Sequence, residues 1–204
     1  MSWLASVRVV AITDRTRMVD RAVLETRDWR RIAAAYGEAI AVVVARFGSS
    51  LLIQVREKDL DGGPLLALVR AALATGARVL VNDRVDVALA AGAHGVHLPE
   101  RGLSIAEARA LADEQFIVGV SCHSIDAVTR ATGADLVQLG PIWETPGKPT
   151  PLGPEALLEA RPVTTAHLVA IGGIDDARVD VARAHGADAI AAIRAVWSGE
   201  LKPR

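Results

Sequence analysis

Short apolar runs alternate with longer Ala-, Leu- and Arg-rich stretches along the whole chain. Buried strands read as compact apolar runs bounded by turn signals, and helices as apolar positions recurring every three to four residues. On that basis residues 8–13 (RVVAIT) form the first strand, and a long helical region, with an interruption allowed, runs from Val19 to Arg46 and stops at Gly48. LLIQVREK, Leu51 to Lys58, is the second strand; its period of two lines Gln54, Arg56 and Lys58 along one face. A Gly62-Gly63-Pro64 turn leads to a helix over Leu65–Thr75, then a third strand, Arg78–Val81.

The stretch from Val81 to Ser104 follows as a βαβ unit. Val85–Ala91 has helical spacing, Gly92 stops it, and Val96–Leu98 is strand four. Ser104 with Glu107 reads as a capping box before FIVGVS, strand five. Ser124 caps the next helix, Leu136–Gly140 is strand six, and Gly153–Ala160 is a short helix. His167–Ile171 is strand seven, Asp175 caps a further helix, and Ala189–Ile193 is strand eight. Gly-Ala pairs at 76, 92, 133 and 186 each end an Ala-rich helix, and VDVALAAGAHG (85–95) nearly repeats as VDVARAHGADA (179–189). An open doubly wound sheet shares such a repeat, but eight alternations in 204 residues favour a single (β/α)8 TIM barrel over 1–204.

Composition supports this. The chain is 51% hydrophobic but only 3% aromatic, so its core is aliphatic, as in parallel sheets covered by helices. A net charge of -1 offers no footprint for nucleic acid or an anionic membrane, and neither is an expected partner. The one cysteine, Cys122, excludes an internal disulfide and reads as a small buried hydrophobe. No run reaches the roughly 18–20 uninterrupted apolar residues of a membrane span. The N-terminus lacks a secretory pattern, so a cytoplasmic location is expected.

Chemistry collects at the strand exits: Thr13 and Asp14; Arg56 and Lys58; Asn82 and Asp83; His97; Ser121 and His123; Glu144, Thr145 and Lys148; Gly172 and Gly173; Arg194. In a parallel barrel these meet at the C-terminal mouth, where such folds hold their active sites. Only three lysines stand against twenty arginines, yet Lys58 and Lys148 both fall at exits, where a compact ammonium suits a phosphate. Gly172 and Gly173 precede a helix N-terminus after strand seven, a place suited to phosphate. His123 offers proton exchange near neutral pH, or simply a bond to a nearby carbonyl. His97 points to the barrel interior or its rim, and His94, His167 and His185 read as structural or exposed. No histidine pair or carboxylate cluster has metal-ligand spacing.

AITDR (11–15), QVREK (54–58), VNDRVDVALAAGAHGVHL (81–98), VGVSCHS (118–124), GADLVQLGPIWETPGKP (133–149), AIGGI (170–174) and GADAIAAI (186–193), in that order, resemble the thiamine phosphate synthase and thiazole tautomerase superfamily. The resemblance implies a (β/α)8 barrel acting on a thiazole phosphate in thiamine biosynthesis. Its synthase branch joins a pyrimidine methyl diphosphate to the thiazole phosphate with magnesium, and typically reads GVHLGQED after strand four. Here GVHLPERG puts Gly102 where the last Asp, a magnesium carboxylate, would stand. That departure, with WETPGKP in place of TPTK, resembles the tautomerase branch.

The expectation is therefore a cofactor-independent thiazole tautomerase, an isomerase with His123 as general acid/base and Gly172 and Gly173 on the phosphate. Arg56, Lys58, Asn82, Ser121 and Lys148 would make further substrate contacts. Arg194 stands where the family commonly has serine, and its effect on the phosphate site is open. The alternative is a thiamine phosphate synthase, a transferase, with Asp83 holding Mg2+; a third reading is a non-catalytic phosphate-binding regulatory barrel. The resemblance also suggests a homodimer, for which Trp143 and Trp197 are interface candidates, although packing is the simpler reading of each.

Overall fold

A computed structural model describes residues 3–203. The first third contains β1 (Val9–Ile12), α1 (Arg15–Met18), α2 (Arg21–Glu25), α3 (Trp29–Phe47), β2 (Leu51–Val55), α4 (Gly62–Ala74) and β3 (Arg78–Asn82). The middle adds α5 (Val85–Ala91), β4 (Gly95–Leu98), α6 (Ile105–Ala110), β5 (Ile117–Cys122), α7 (Ile125–Arg130) and β6 (Leu136–Leu139). The chain then forms α8 (Glu155–Ala160), β7 (His167–Ile171), α9 (Asp176–Ala184), β8 (Ala189–Ala192) and α10 (Arg194–Trp197). All eight strands pair in parallel in chain order, and β8 closes on β1 through Val9↔Ile190, Val10↔Ala191 and Ala11↔Ala192. The (β/α)8 barrel expected from the alternation is what the chain forms.

Two cores hold it. Outward-facing strand residues such as Ala11, Ile53, Val79 and Val96 pack under the helices. The second core fills the barrel with Val10, Ile12, Leu52, Leu80, Ile117, Leu136, Val169, Ala189 and Ala191, and Leu4 and Val7 close its floor. Residues 29–50 are apolar and long enough to cross a membrane by length and composition. Here Ile32, Tyr36, Ile40, Val43 and Phe47 turn one face of α3 into the outer core.

Local chemistry departs from the sequence reading in three places. The region expected to be helical over Val19–Arg46, with an interruption allowed, holds α2 and α3, and an unexpected short helix, α1, precedes it; Asp14, Asp20 and Asp28 each cap one of the three starts, accepting from the backbone N–H of Thr16, Ala22 and Arg30. β2 stops at Val55, three residues short, because the Arg56 N–H donates to Thr13 Oγ1 at 2.9 Å instead of extending the ladder. Residues 62–64 are the first turn of α4 rather than a free turn; Pro64 is tolerated there because its missing N–H would have no helical partner. The capping box at Ser104 and Glu107 and the caps at Ser124 and Asp175 are all present. Cys122 is buried, and burial pushes its thiol up to about 12.

Strand packing leaves no room at Gly95, where an added Cβ would lie 2.1 Å from the Ile117 carbonyl oxygen. Gly95→Ala should lose about 3 kcal/mol or more of stability in denaturant unfolding. Gly63→Ala, which meets nothing within 4 Å, should stay within about 1 kcal/mol of wild type, on the stabilising side.

Candidate active site

Along each strand every second side chain enters the barrel, and near the C-terminal end these residues change from aliphatic to polar. Leu52 gives way to Gln54 and Leu80 to Asn82. Ile117 gives way to Ser121 and Leu136 to Gln138. His97 completes this upper layer, fully buried on β4. Gln138 donates to Gln54 Oε1 across the barrel at 2.6 Å, Gln54 donates to Asn82 Oδ1 at 3.3 Å, and His97 Nε2 lies 2.8 Å from Ser121 Oγ. His97 Nδ1 has no partner among the described residues. Burial, with the Arg56 charge nearby, pushes His97 down to about 3, so it is a neutral wall of the chamber at physiological pH.

Asp83 leaves β3 at φ 68°, a left-handed backbone uncommon outside glycine. Its N–H donates to the His97 carbonyl at 2.9 Å. Such conformations persist where surrounding contacts impose them, often at functional sites. A cavity of about 190 Å³ brings Lys58, Asn82, Asp83 and Arg84 together beside Glu57. The loop after β4 folds back onto this cavity: a Cβ at Gly102 would lie 3.1 Å from Asp83 Oδ1 and 2.9 Å from Pro99 Cγ. Gly102 therefore borders Asp83, and the Pro99 ring crowds it.

His123 stands at the mouth, half exposed, with Nδ1 donating to the Gly140 carbonyl at 2.5 Å and Nε2 3.9 Å from Glu100 Oε2. Gly172 and Gly173 have φ of 96° and 64° and press on the loop after β6, where added Cβ atoms would lie 2.6 Å from Pro141 and 2.7 Å from Trp143. That packing alone requires glycine at both positions. The Asp175 carboxylate caps α9, accepting from the Arg178 N–H, so a negative charge already occupies that helix start. Ser121 is turned into the chamber toward His97. Lys148, on the loop after β6, and Arg194, the first residue of α10, are exposed, and neither side chain has a partner among the described residues. Trp143 lies under the Arg178 guanidinium, and Trp197 donates to the Ile12 carbonyl at 2.8 Å, so both are packed within the chain.

Two site features escaped the sequence reading. Gln138 carried a signal, a lone amide in an apolar strand. Glu57 carried none: it is buried and accepts from the Arg15 backbone at 3.1 Å and the Arg15 guanidinium at 3.0 Å, and burial raises its carboxyl above the ordinary range.

A family model described as thiamine monophosphate synthase matches residues 26–196. The chain belongs to the thiamine monophosphate synthase family. The thiamine-phosphate synthase of Methanoculleus marisnigri is 43% identical over 163 residues, covering 75% of this chain and 77% of that protein. That of Anaeromyxobacter dehalogenans is 45% identical over 159 residues, covering 73% and 71%. The thiamine phosphate pyrophosphorylase structure from Pyrococcus furiosus superposes with a TM-score of 0.76 at 28% identity, over 95% of this chain and 89% of that one. The chain is thus an enzyme of thiamine biosynthesis.

These likenesses overturn the tautomerase expectation, since the similar proteins carry the synthase name. The physical reason lies in what that expectation rested on. It rested mainly on one loop, residues 99–102, and losing the carboxylate at Gly102 leaves Asp83 and the surrounding cavity in place.

A neutral buried His97 makes a pH prediction. With its native value near 3 and an ordinary value of 6.5, the unfolded chain binds the extra proton between them. The stability it confers is full above pH 6.5 and is lost as pH falls toward 3, at up to about 1.4 kcal/mol per pH unit. Urea unfolding across that window should show a shallower pH slope for His97→Gln.

Proposed function

We propose that the chain is a thiamine-phosphate synthase, transferring a pyrimidine methyl group from its diphosphate to the ring nitrogen of a thiazole phosphate. The observation that carries this reading is the cavity where Lys58, Asn82 and the left-handed Asp83 converge beside a buried polar chamber, in a chain so similar to proteins of that name. In this reaction the C–O bond to the diphosphate breaks, and the diphosphate leaves with the bonding electrons. The thiazole nitrogen lone pair forms the new C–N bond and the ring becomes a cation. That nitrogen carries no proton, so bond formation needs no general base.

The residues divide the work accordingly. Gln54, Asn82 and Gln138 offer amide donors and acceptors to a flat heterocycle entering the chamber, while neutral His97 adds no charge beside the developing cation. Lys58 and Arg56 meet the diphosphate, and the backbone at Gly172 and Gly173, with Arg194 and Lys148 nearby at the rim, receives the thiazole phosphate. His123, tethered by Gly140, lines the mouth as a hydrogen-bond donor rather than acting as the base. The donor set fits a magnesium ion: Asp83 presents a hard carboxylate oxygen, and substrate phosphates would complete the shell in place of the carboxylate missing at Gly102. Bound there, magnesium would neutralise charge on the leaving diphosphate.

Purified protein given both substrates and Mg2+ should form thiamine phosphate and inorganic diphosphate in equal amounts. Asp83→Ala should lower the rate about 100-fold or more, whereas His123→Ala should cost under about tenfold, below the usual range for a lost general base. Absence of product from the wild type, or a His123→Ala loss exceeding that of Asp83→Ala, would overturn this reading.

A further inference from the structure

The loop after β2 carries a carboxylate between two cations, in the order Arg56, Glu57, Lys58. On a solvated loop, the simplest fate of such a carboxylate is to pair with its neighbours. Here it does not. Its oxygens accept from the Arg15 N–H at 3.1 and 3.3 Å, from Arg15 Nη1 at 3.0 Å and from the Tyr36 hydroxyl at 3.4 Å. The same Arg15 guanidinium donates to Asp59 Oδ1 at 2.7 Å and pairs with Asp59 Oδ2. One side chain from the β1 exit thus grips residues 57 and 59, on either side of Lys58.

Two consequences follow. Lys58 stands between two residues whose side chains Arg15 holds, and it lines the cavity with Asn82 and Asp83. Neither Arg56 nor Lys58 forms an ion pair among the described residues, although two carboxylates lie within one position of Lys58. Thr13 reinforces the arrangement by accepting from the Arg56 N–H.

We infer that Arg15 is a positioning residue for the anion site: it draws the Glu57 and Asp59 carboxylates away from Arg56 and Lys58 and so leaves both cations available to a diphosphate group. The inference rests on the proposed synthase reading, because it takes the ligand of those cations to be a diphosphate. Without Arg15 the freed Glu57 carboxylate competes with the ligand for the neighbouring cations. A close charge pair of this kind is enough to change affinity about tenfold.

The test is calorimetric binding of inorganic diphosphate, with magnesium, to the full chain. Arg15→Met should weaken binding about tenfold or more. Adding Glu57→Gln to that variant removes the competing charge and should bring affinity back to within about threefold of wild type. A purely structural role for the pair predicts the opposite, a double variant at least as impaired as the single one. Should Arg15→Met not fold, Arg15→Lys serves instead: it keeps a charge for Glu57 but cannot grip both carboxylates, so intermediate affinity is expected and wild-type affinity overturns the inference. A wild type that binds no diphosphate overturns the proposed anion site and this inference with it; a wild type that binds, with Arg15→Met unchanged, overturns the inference alone.

Discussion

The alternation of side chains along eight parallel strands imposes one constraint on everything at the mouth of this barrel: every second side chain of each strand must share the one interior with those of the other strands. In the lower barrel those positions are Leu52, Leu80, Ile117, Leu136 and Val169, a dry plug with no polar atom to satisfy. Further along the strands the same alternation turns Gln54, Asn82, His97, Ser121 and Gln138 into the barrel. Buried amides need partners, and these find them in each other across the barrel. The chamber floor is therefore rigid because its hydrogen bonds are internal, and it is closed to water from below because the plug is aliphatic.

Charge is arranged around that floor with equal economy. Arg56 and Lys58 form no ion pair among the described residues, and the carboxylates on either side of Lys58 pair with Arg15. Asp83 is aimed by a left-handed backbone that the His97 carbonyl holds through a hydrogen bond. The Pro99 ring crowds the space beside Gly102, so a side chain added there would meet both Pro99 and Asp83.

Much of this was legible in the sequence. All eight strands and their closure followed from apolar runs punctuated by Gly-Ala helix stops, because a strand buried on both faces has little other way to be written. The exits were legible too, since polar residues interrupt those runs. What escaped were features decided by distant partners. β2 ends early because the Thr13 hydroxyl takes the Arg56 N–H, and Glu57 turns to Arg15, 42 positions earlier in the chain. The twin glycines at 172 and 173 read as a phosphate turn, yet their contacts with Pro141 and Trp143 already demand glycine. The tautomerase expectation failed for a related reason: it weighed a four-residue loop above a chain-wide similarity.

In the synthase proposed above, Asp83 is the single carboxylate of a cation site that the ligand's own phosphates complete. Magnesium binding to the free protein, measured by titration calorimetry with and without inorganic diphosphate, tests it most directly. The account predicts no saturable magnesium binding below about 1 mM without diphosphate and clear binding once diphosphate is present, as expected when one carboxylate and substrate phosphates share the ion. Tight magnesium binding by the protein alone would contradict it.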